Sequence, residues 1–186
     1  MKCVVVTGIP GVGKTTVLNQ ALEKLGEKFE IINFGDKMFE VASKENLVAS
    51  RDEMRRLPPE VQKRIQKLAA IAIAKRAEVM NVVVDTHCTV KTPAGFLPGL
   101  PRWVLEELKP TQIVLVEALP EEIRRRRESD TTRTRDEDSL EQIALHQEMN
   151  RAAAMAYAML TGATVLIVEN HDNRLEEAVE QLVKAM

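Results

Sequence analysis

The chain has 186 residues, enough for one domain with a substantial core. Charged residues make up 29% and hydrophobic residues 45%, with a formal net charge of -2, so neither disorder nor a globally basic nucleic-acid face is indicated. Cys3 and Cys88 form no CxxC pair or disulfide framework, and no apolar run approaches the roughly 18 residues of a membrane span, so a soluble protein of a reducing cytoplasm is expected.

In chain order, Lys2 to Thr7 reads as a buried strand around Val4-Val5-Val6. It is too short for a signal peptide and runs straight into a glycine-rich turn, which makes the N-terminus structural. Lys14 to Leu25 reads as a helix closed by Gly26. Phe29 to Phe34 is a second strand, and Gly35-Asp36 opens a helix through about Lys44. Ser50 and Glu53 have capping-box spacing, which starts a helix at Arg51. Pro58-Pro59 breaks it, and a helix over about 60–79 follows. Asn81 to Asp85 is a third strand ending in an acid. Residues 86–101, with five Gly or Pro among them, read as an ordered but irregular loop. A helix over Trp103 to Leu108 and a strand over Gln112 to Glu117 come next. Pro120 starts a helix carrying Arg124 to Arg127, and residues 129–138 are wholly polar. Ser139 and Gln142 cap a long helix that ends before Gly162. Ala163 to Val168 is a fifth strand, and Asn173 with Glu176 caps the last helix. Five buried-type strands alternating with helices imply a three-layer α/β/α sandwich on a parallel sheet, in one domain over 1–186.

The first strand leads into Gly8-Ile9-Pro10-Gly11-Val12-Gly13-Lys14-Thr15-Thr16, a complete Walker A pattern that opens a helix. Successive backbone N–H groups in such a turn line a concavity that holds phosphate oxygens, and the helix dipole adds to it. Lys14 then reaches the β and γ phosphates, and Thr15 offers a hydroxyl to magnesium. Asp85, at the end of three valines, is the best-placed carboxylate to share that metal. His87, two residues on, suits an acceptor-side or loop-ordering role, whereas His146 and His171 have no evident partner.

The basic residues form two groups. Arg51, Arg55 and Arg56, followed by Lys63 and Arg64, lie between strands two and three. Arg124 to Arg127, Arg133 and Arg135 lie between strands four and five. Two such arrays suit transfer between polyanions, whose repulsion guanidinium forks offset. Adjacent helical positions differ by about 100°, so only one or two of Arg124 to Arg127 can face a single site. The residues by themselves also allow a hydrolytic switch or assembly ATPase, or a kinase with a CMP or UMP acceptor.

Over essentially its whole length the chain resembles the archaeal-type adenylate kinases, within the P-loop nucleoside monophosphate kinases. The resemblance is carried by Val6-Thr7-Gly8-Ile9-Pro10-Gly11-Val12-Gly13, Asn33-Phe34-Gly35-Asp36, Arg51-Asp52-Glu53-Met54-Arg55 and Gln62-Lys63-Arg64-Ile65-Gln66. It continues through Asp85-Thr86-His87, Val90-Lys91-Thr92-Pro93, Gly95-Phe96-Leu97-Pro98-Gly99-Leu100-Pro101, Asp130-Thr131-Thr132-Arg133-Thr134-Arg135 and Leu160-Thr161-Gly162-Ala163-Thr164-Val165. It implies the transferase reaction ATP + AMP ⇌ 2 ADP with Mg2+, in a cytoplasmic homotrimer that needs neither membrane nor nucleic acid. Gly8 to Thr16 would hold ATP. A monophosphate-binding flap over about 36–80 would bring Gly35, Asp36, Arg51 and Arg55 to AMP, beside His87. Arg126 would face inward, Arg133 and Arg135 would clamp from a short lid over about 129–140, and Arg151 is a weaker candidate. The chain departs from the common bacterial group in having Asp85-Thr86-His87 at the acceptor turn, and in lacking the long lid with its zinc cysteines.

Overall fold

A computed structural model describes residues 1–130 and 138–186. The central sheet is built from β1 (Cys3–Thr7), β2 (Phe29–Asn33), β3 (Asn81–Asp85), β6 (Gln112–Glu117) and β7 (Thr164–Glu169). All its pairings are parallel, in the order β2-β3-β1-β6-β7. The helices are α1 (Lys14–Leu25), α2 (Phe34–Lys44), α3 (Arg51–Arg55), α4 (Pro59–Ala77), α5 (Arg102–Leu108), α6 (Pro120–Ser129), α7 (Leu140–Thr161) and α8 (Leu175–Ala185). The expected three-layer α/β/α architecture is present.

Strand alternation assigns each valine to a layer. Val4, Val6, Val114 and Val116 pack with α1 and α8 through Val17, Leu18, Ala21, Ala178, Val179 and Leu182. Val5, Val82, Val84, Ile113 and Leu115 face the other way, onto α4 and α5 and the C-terminal half of α7. Burying each such side chain fully contributes about 1.5–3 kcal/mol before chain entropy is counted. A third, smaller cluster of Ala42, Val48 and Ile65 joins α2 to α4 away from the sheet. It gives the segment between β2 and β3 a core of its own.

The caps expected at Ser50, Ser139 and Gly162 are present, and Asn33 adds another. The Asn33 side chain accepts from Asp36 N at 3.0 Å and so begins α2 at Phe34. Ser50 accepts from Glu53 N at 3.2 Å, and Ser139 and Gln142 form the reciprocal box at 3.0 and 3.3 Å. Gly162 ends α7 in the left-handed region at φ 76°.

Three expectations need correction. The stretch 86–101 is not an irregular loop, because it contains an antiparallel pair, β4 (Thr89–Thr92) and β5 (Gly95–Pro98). Four-residue strands carry too few alternations to stand out against the flanking Gly and Pro. The second difference is Asn173, which does not cap α8. It takes φ 61°, outside the extended conformation an N-cap needs, and Arg174 occupies the cap position instead. The third is β7, which is an edge strand with only Val168 buried, so its apolar run does not mean enclosure on both faces.

Candidate active site

In an open α/β sheet, ligands bind beyond the carboxyl ends of the strands where the strand order reverses. Here β1 lies between β3 and β6, and its register sets Val6 beside Asp85. A cavity of about 660 Å³ opens at that edge.

The glycine-rich turn forms one wall. Gly11 and Gly13 sit at φ 91° and 85°, a region that disfavours any side chain. A β-carbon on Gly8 would stand 2.7 Å from the Val116 carbonyl, so close backbone packing demands glycine there too. Gly8, Ile9, Pro10, Gly11, Gly13, Lys14, Thr15 and Thr16 line the cavity. Val12 does not: its side chain is buried in the core and its carbonyl is held from outside the turn.

Lys14 forms an ion pair with Asp85 and donates to the Thr86 carbonyl at 3.0 Å. Asn33 Nδ2 donates to the second Asp85 oxygen at 3.0 Å. Asn33 therefore both caps α2 and orients the strand-end carboxylate. Thr15 and Asp85 bring hard oxygen donors to the same cavity. Among the described residues no group of three His, Cys, Asp or Glu side chains gathers as a metal site.

The opposite wall comes from α2 and α3. Gly35, Arg51, Met54 and Arg55 line it. Asp36 does not reach the cavity; it pairs with Arg51 instead. His87 also lines the cleft, where burial first and then the nearby Lys14 charge push its pKa below the usual value, which keeps the imidazole neutral. Lys63 and Arg64 turn elsewhere: Lys63 lies 5.0 Å over the Trp103 ring and Arg64 pairs with Glu45.

Of the four consecutive arginines, two point to the phosphate loop. Arg126 donates to the Val12 carbonyl at 3.2 Å, to the Asn170 carbonyl at 2.8 Å and to Asp172 at 2.6 and 2.9 Å. Arg127 donates to the Pro10 carbonyl at 2.8 Å and pairs with Asp138 at 2.9 Å. Arg124 pairs with Glu128 and Arg125 with Asp172, both on the exposed side. Helical geometry required this division, although the spacing could not say which pair faced inward. Arg133 and Arg135 lie outside the described residues. Arg151 is committed to Glu117: its Nε donates to both carboxylate oxygens, at 2.9 and 3.1 Å, and its Nη2 donates to Oε2.

The turn after β3 is fastened from behind. Cys88 N donates to Thr7 Oγ1 at 2.7 Å, and Tyr157 donates its hydroxyl to the Cys88 carbonyl at 2.8 Å. Asn150 Oδ1 accepts from both the Thr89 N–H, at 3.1 Å, and its hydroxyl. Burial pushes the Cys88 thiol up to about 12, which makes it inert packing rather than a nucleophile. His146 stacks obliquely on Phe96, with ring centroids 5.2 Å apart. His171, which had no partner in the sequence, stands 3.0 Å from Glu122. Arg127 and Asn170 carry no local motif; they reach the phosphate loop from more than 100 residues away, and Asp172 acts on it only through Arg126.

Comparisons with known proteins bear on the family and the fold. A family model described as an AAA domain matches residues 7–144. The chain is 62% identical to an adenylate kinase of Methanothermobacter thermautotrophicus, over 98% of this chain and 97% of the relative. It is 57% identical to an adenylate kinase of Methanocaldococcus jannaschii over 100% and 98% of the two chains, and 59% identical to that of Methanopyrus kandleri over 98% and 96%. In fold it is similar to shikimate kinase from Bacteroides thetaiotaomicron, with TM-score 0.58, 14% identity and 99% and 97% of the chains covered. It is likewise similar to TT1252 from Thermus thermophilus, with TM-score 0.55, 17% identity and 99% and 95% covered. A phosphate-binding turn, a strand-end acid and two sets of arginines on one cleft, in a chain matched end to end by these relatives, place it plainly: it belongs to the AAA-domain P-loop family and to the archaeal-type adenylate kinases.

Proposed function

We propose that the cleft is where this enzyme carries out ATP + AMP ⇌ 2 ADP, with the donor on Gly8 to Thr16 and the acceptor between α3 and the His87 turn. The reaction is that of the family. The observation that carries the assignment of walls is the distribution of cations. Lys14 and Arg126 stand on the phosphate-loop side of the cavity, and Arg51 and Arg55 on the opposite side. Two phosphorylated nucleotides can meet there with positive charge behind each.

No protein nucleophile is needed. The acceptor's phosphate oxygen attacks the γ-phosphorus in line, and it is already ionised near neutral pH. Lys14 and the arginines disperse charge that develops on the transferred group. Lys14 exchanges Asp85 for phosphate oxygens when the donor binds. Thr15 and Asp85 are the residues that would hold magnesium, which takes hard oxygen ligands and keeps several waters, so two protein donors beside the triphosphate suit it. When bound, the ion neutralises charge on the β and γ oxygens. The His87 ring contributes shape and hydrogen bonding to the acceptor wall.

Arg133 and Arg135 are assigned as clamps that close over the donor and exclude water, a competing acceptor. Segment 36–80 acts as the monophosphate flap, and the short lid covers about 129–140. A cytoplasmic homotrimer is part of the same reading. Both cysteines are buried free thiols, and among the described residues no helix is long and apolar enough to cross a membrane. Sedimentation at equilibrium tests the trimer; a monomer mass across the working concentration range refutes it.

An acceptor screen tests the function. The protein is given MgATP with AMP, CMP, UMP or no acceptor, and ADP is followed. AMP should give two ADP per turnover and far exceed the other acceptors. Hydrolysis that proceeds equally well without AMP would overturn the reading.

A further inference from the structure

The outside of the phosphate loop shows a repeated arrangement. Arg127 donates to the Pro10 carbonyl at 2.8 Å, and its Cγ lies 2.8 Å from where a β-carbon of Gly11 would stand. Asn170 Nδ2 donates to the Val12 carbonyl at 2.8 Å, and the same nitrogen occupies the place of a Gly13 β-carbon. Each side chain thus holds one carbonyl of the loop and covers the glycine that follows it. The peptide unit is planar and trans, so the carbonyl of one residue and the N–H of the next point in opposite directions. Fixing the Val12 carbonyl outward therefore turns the Gly13 N–H inward, toward the wall that Gly11 and Gly13 give the cavity.

We infer that Asn170 is a positioning residue for donor binding: through the Val12 carbonyl it presets the Gly13 N–H that a triphosphate oxygen must meet. The inference rests on the reading of Gly8 to Thr16 as the donor site. Asn170 does not line the cavity, so it acts through the peptide and not by touching the nucleotide. It is well placed to do so. Its backbone N–H donates to the Glu117 carbonyl at 2.7 Å, its own carbonyl accepts from Arg126 at 2.8 Å, and it is buried. The loop after β7 is thereby fixed to β6 and to α6 before the carboxamide reaches the phosphate loop. A glycine-rich turn is otherwise free to rotate its peptide planes. Donors set in advance cost no reorganisation when the anion arrives.

The neutral carboxamide permits a clean test, because removing it changes no charge. In Asn170→Ala the Val12 carbonyl keeps the Arg126 bond at 3.2 Å, so no buried acceptor is orphaned and the fold is retained. The whole chain is assayed with both substrates varied, alongside thermal melting and calorimetric binding of inorganic tripolyphosphate. The expected result is a rise of about tenfold in KM for MgATP, the equivalent of about 1.4 kcal/mol or one neutral hydrogen bond. Tripolyphosphate affinity falls by a similar factor while KM for AMP stays within about twofold. If the alanine variant melts below the assay temperature, Asn170→Leu carries the test, since it fills a similar volume with neither the amide donor nor a charge. An unchanged KM for MgATP with unchanged tripolyphosphate binding overturns the inference. Equal rises in both KM values with a lowered melting point also overturn it, because they mark general structural loss. If wild-type protein fails to convert ATP and AMP yet Asn170→Ala still weakens tripolyphosphate binding, the donor–acceptor reading fails and the positioning role stands.

Discussion

The two walls of the cleft are held in opposite ways. On the phosphate-loop side Arg126 and Arg127 are drawn into the protein: the Arg127 side chain is 9% exposed, and Arg126 makes bonds to two carbonyls and a carboxylate. On the α2–α3 side Arg51 and Arg55 are paired with exposed aspartates, Asp36 and Asp52. Solvent-exposed pairs of that kind contribute about 0–1 kcal/mol and exchange partners readily. The small cluster of Ala42, Val48 and Ile65 beneath them is separate from the sheet's two main cores. One wall is built in advance for its anion, and the other is free to rearrange around it. A donor that always presents the same triphosphate suits the first design. An acceptor that must be enclosed before transfer suits the second.

The largest effect that could break this comparison is at Lys14. Lys14→Met should lower kcat by about a thousandfold with KM values changed far less, because the ammonium's main work lies in the transition state. The circular dichroism spectrum should remain that of the folded protein. Normal turnover in a folded variant would remove the donor wall from the argument altogether.

Next comes the contrast between Arg126 and Arg51. Arg126→Ala should lower kcat and also lower the melting temperature, since Asp172 loses two bonds and the Val12 carbonyl one. Arg51→Ala should leave stability within about 0.5 kcal/mol and raise KM for AMP by about tenfold or more, with KM for MgATP unchanged. Melting curves and two-substrate kinetics on the two variants read both quantities. A matched stability loss in Arg51→Ala would erase the distinction between the walls.

That asymmetry also explains what could be read from the sequence. The phosphate loop and its acid were legible because the chemistry there is local. Glycines must supply φ 91° and 85° within three residues, and β3 must deliver Asp85 directly beside β1. Helix starts were legible for the same reason at Ser50 and Ser139, whereas the cap at Asn33 was hidden in what reads as the end of a strand. The outer fastening of the loop was not. Arg127 shares its helix with three other arginines, and only the tertiary position of Pro10 distinguishes it. Asn170 reads as an ordinary residue after a strand until Gly13 is brought beneath it. The β4–β5 pair was missed because its order comes from α7, through Asn150 and Tyr157, and not from its own pattern.

The smallest effect concerns the strap behind the donor wall. The Glu122 carboxylate binds the Asp172 and Leu119 N–H groups at 2.8 and 2.9 Å and the His171 ring at 3.0 Å. The hydrogen bond that the His171 ring donates to Glu122 raises the His171 pKa above its ordinary 6.5, with added attraction from Glu169. Burial alone would raise Glu122, but the Asp172 N–H, His171 and the Leu119 N–H outweigh it and lower its pKa below 4.5. In the window above 6.5 the folded protein binds more protons than the unfolded chain, so the stabilisation from His171 falls as pH rises through its folded pKa. The Glu122 contribution runs the other way: it is complete above 4.5 and is lost as pH falls through the lowered value. The pair therefore contributes most between those two values. With the His171 ring partly exposed beside the buried Glu122 carboxylate, the gain is on the order of 1 kcal/mol, or about 2–4 °C in Tm. Replacing His171 by Asn should lower the melting point most at about pH 5.5 and least at about pH 8.5. A gap that widens toward alkaline pH would show that His171 acts there as a neutral ring, with the strap held by the two backbone N–H groups alone.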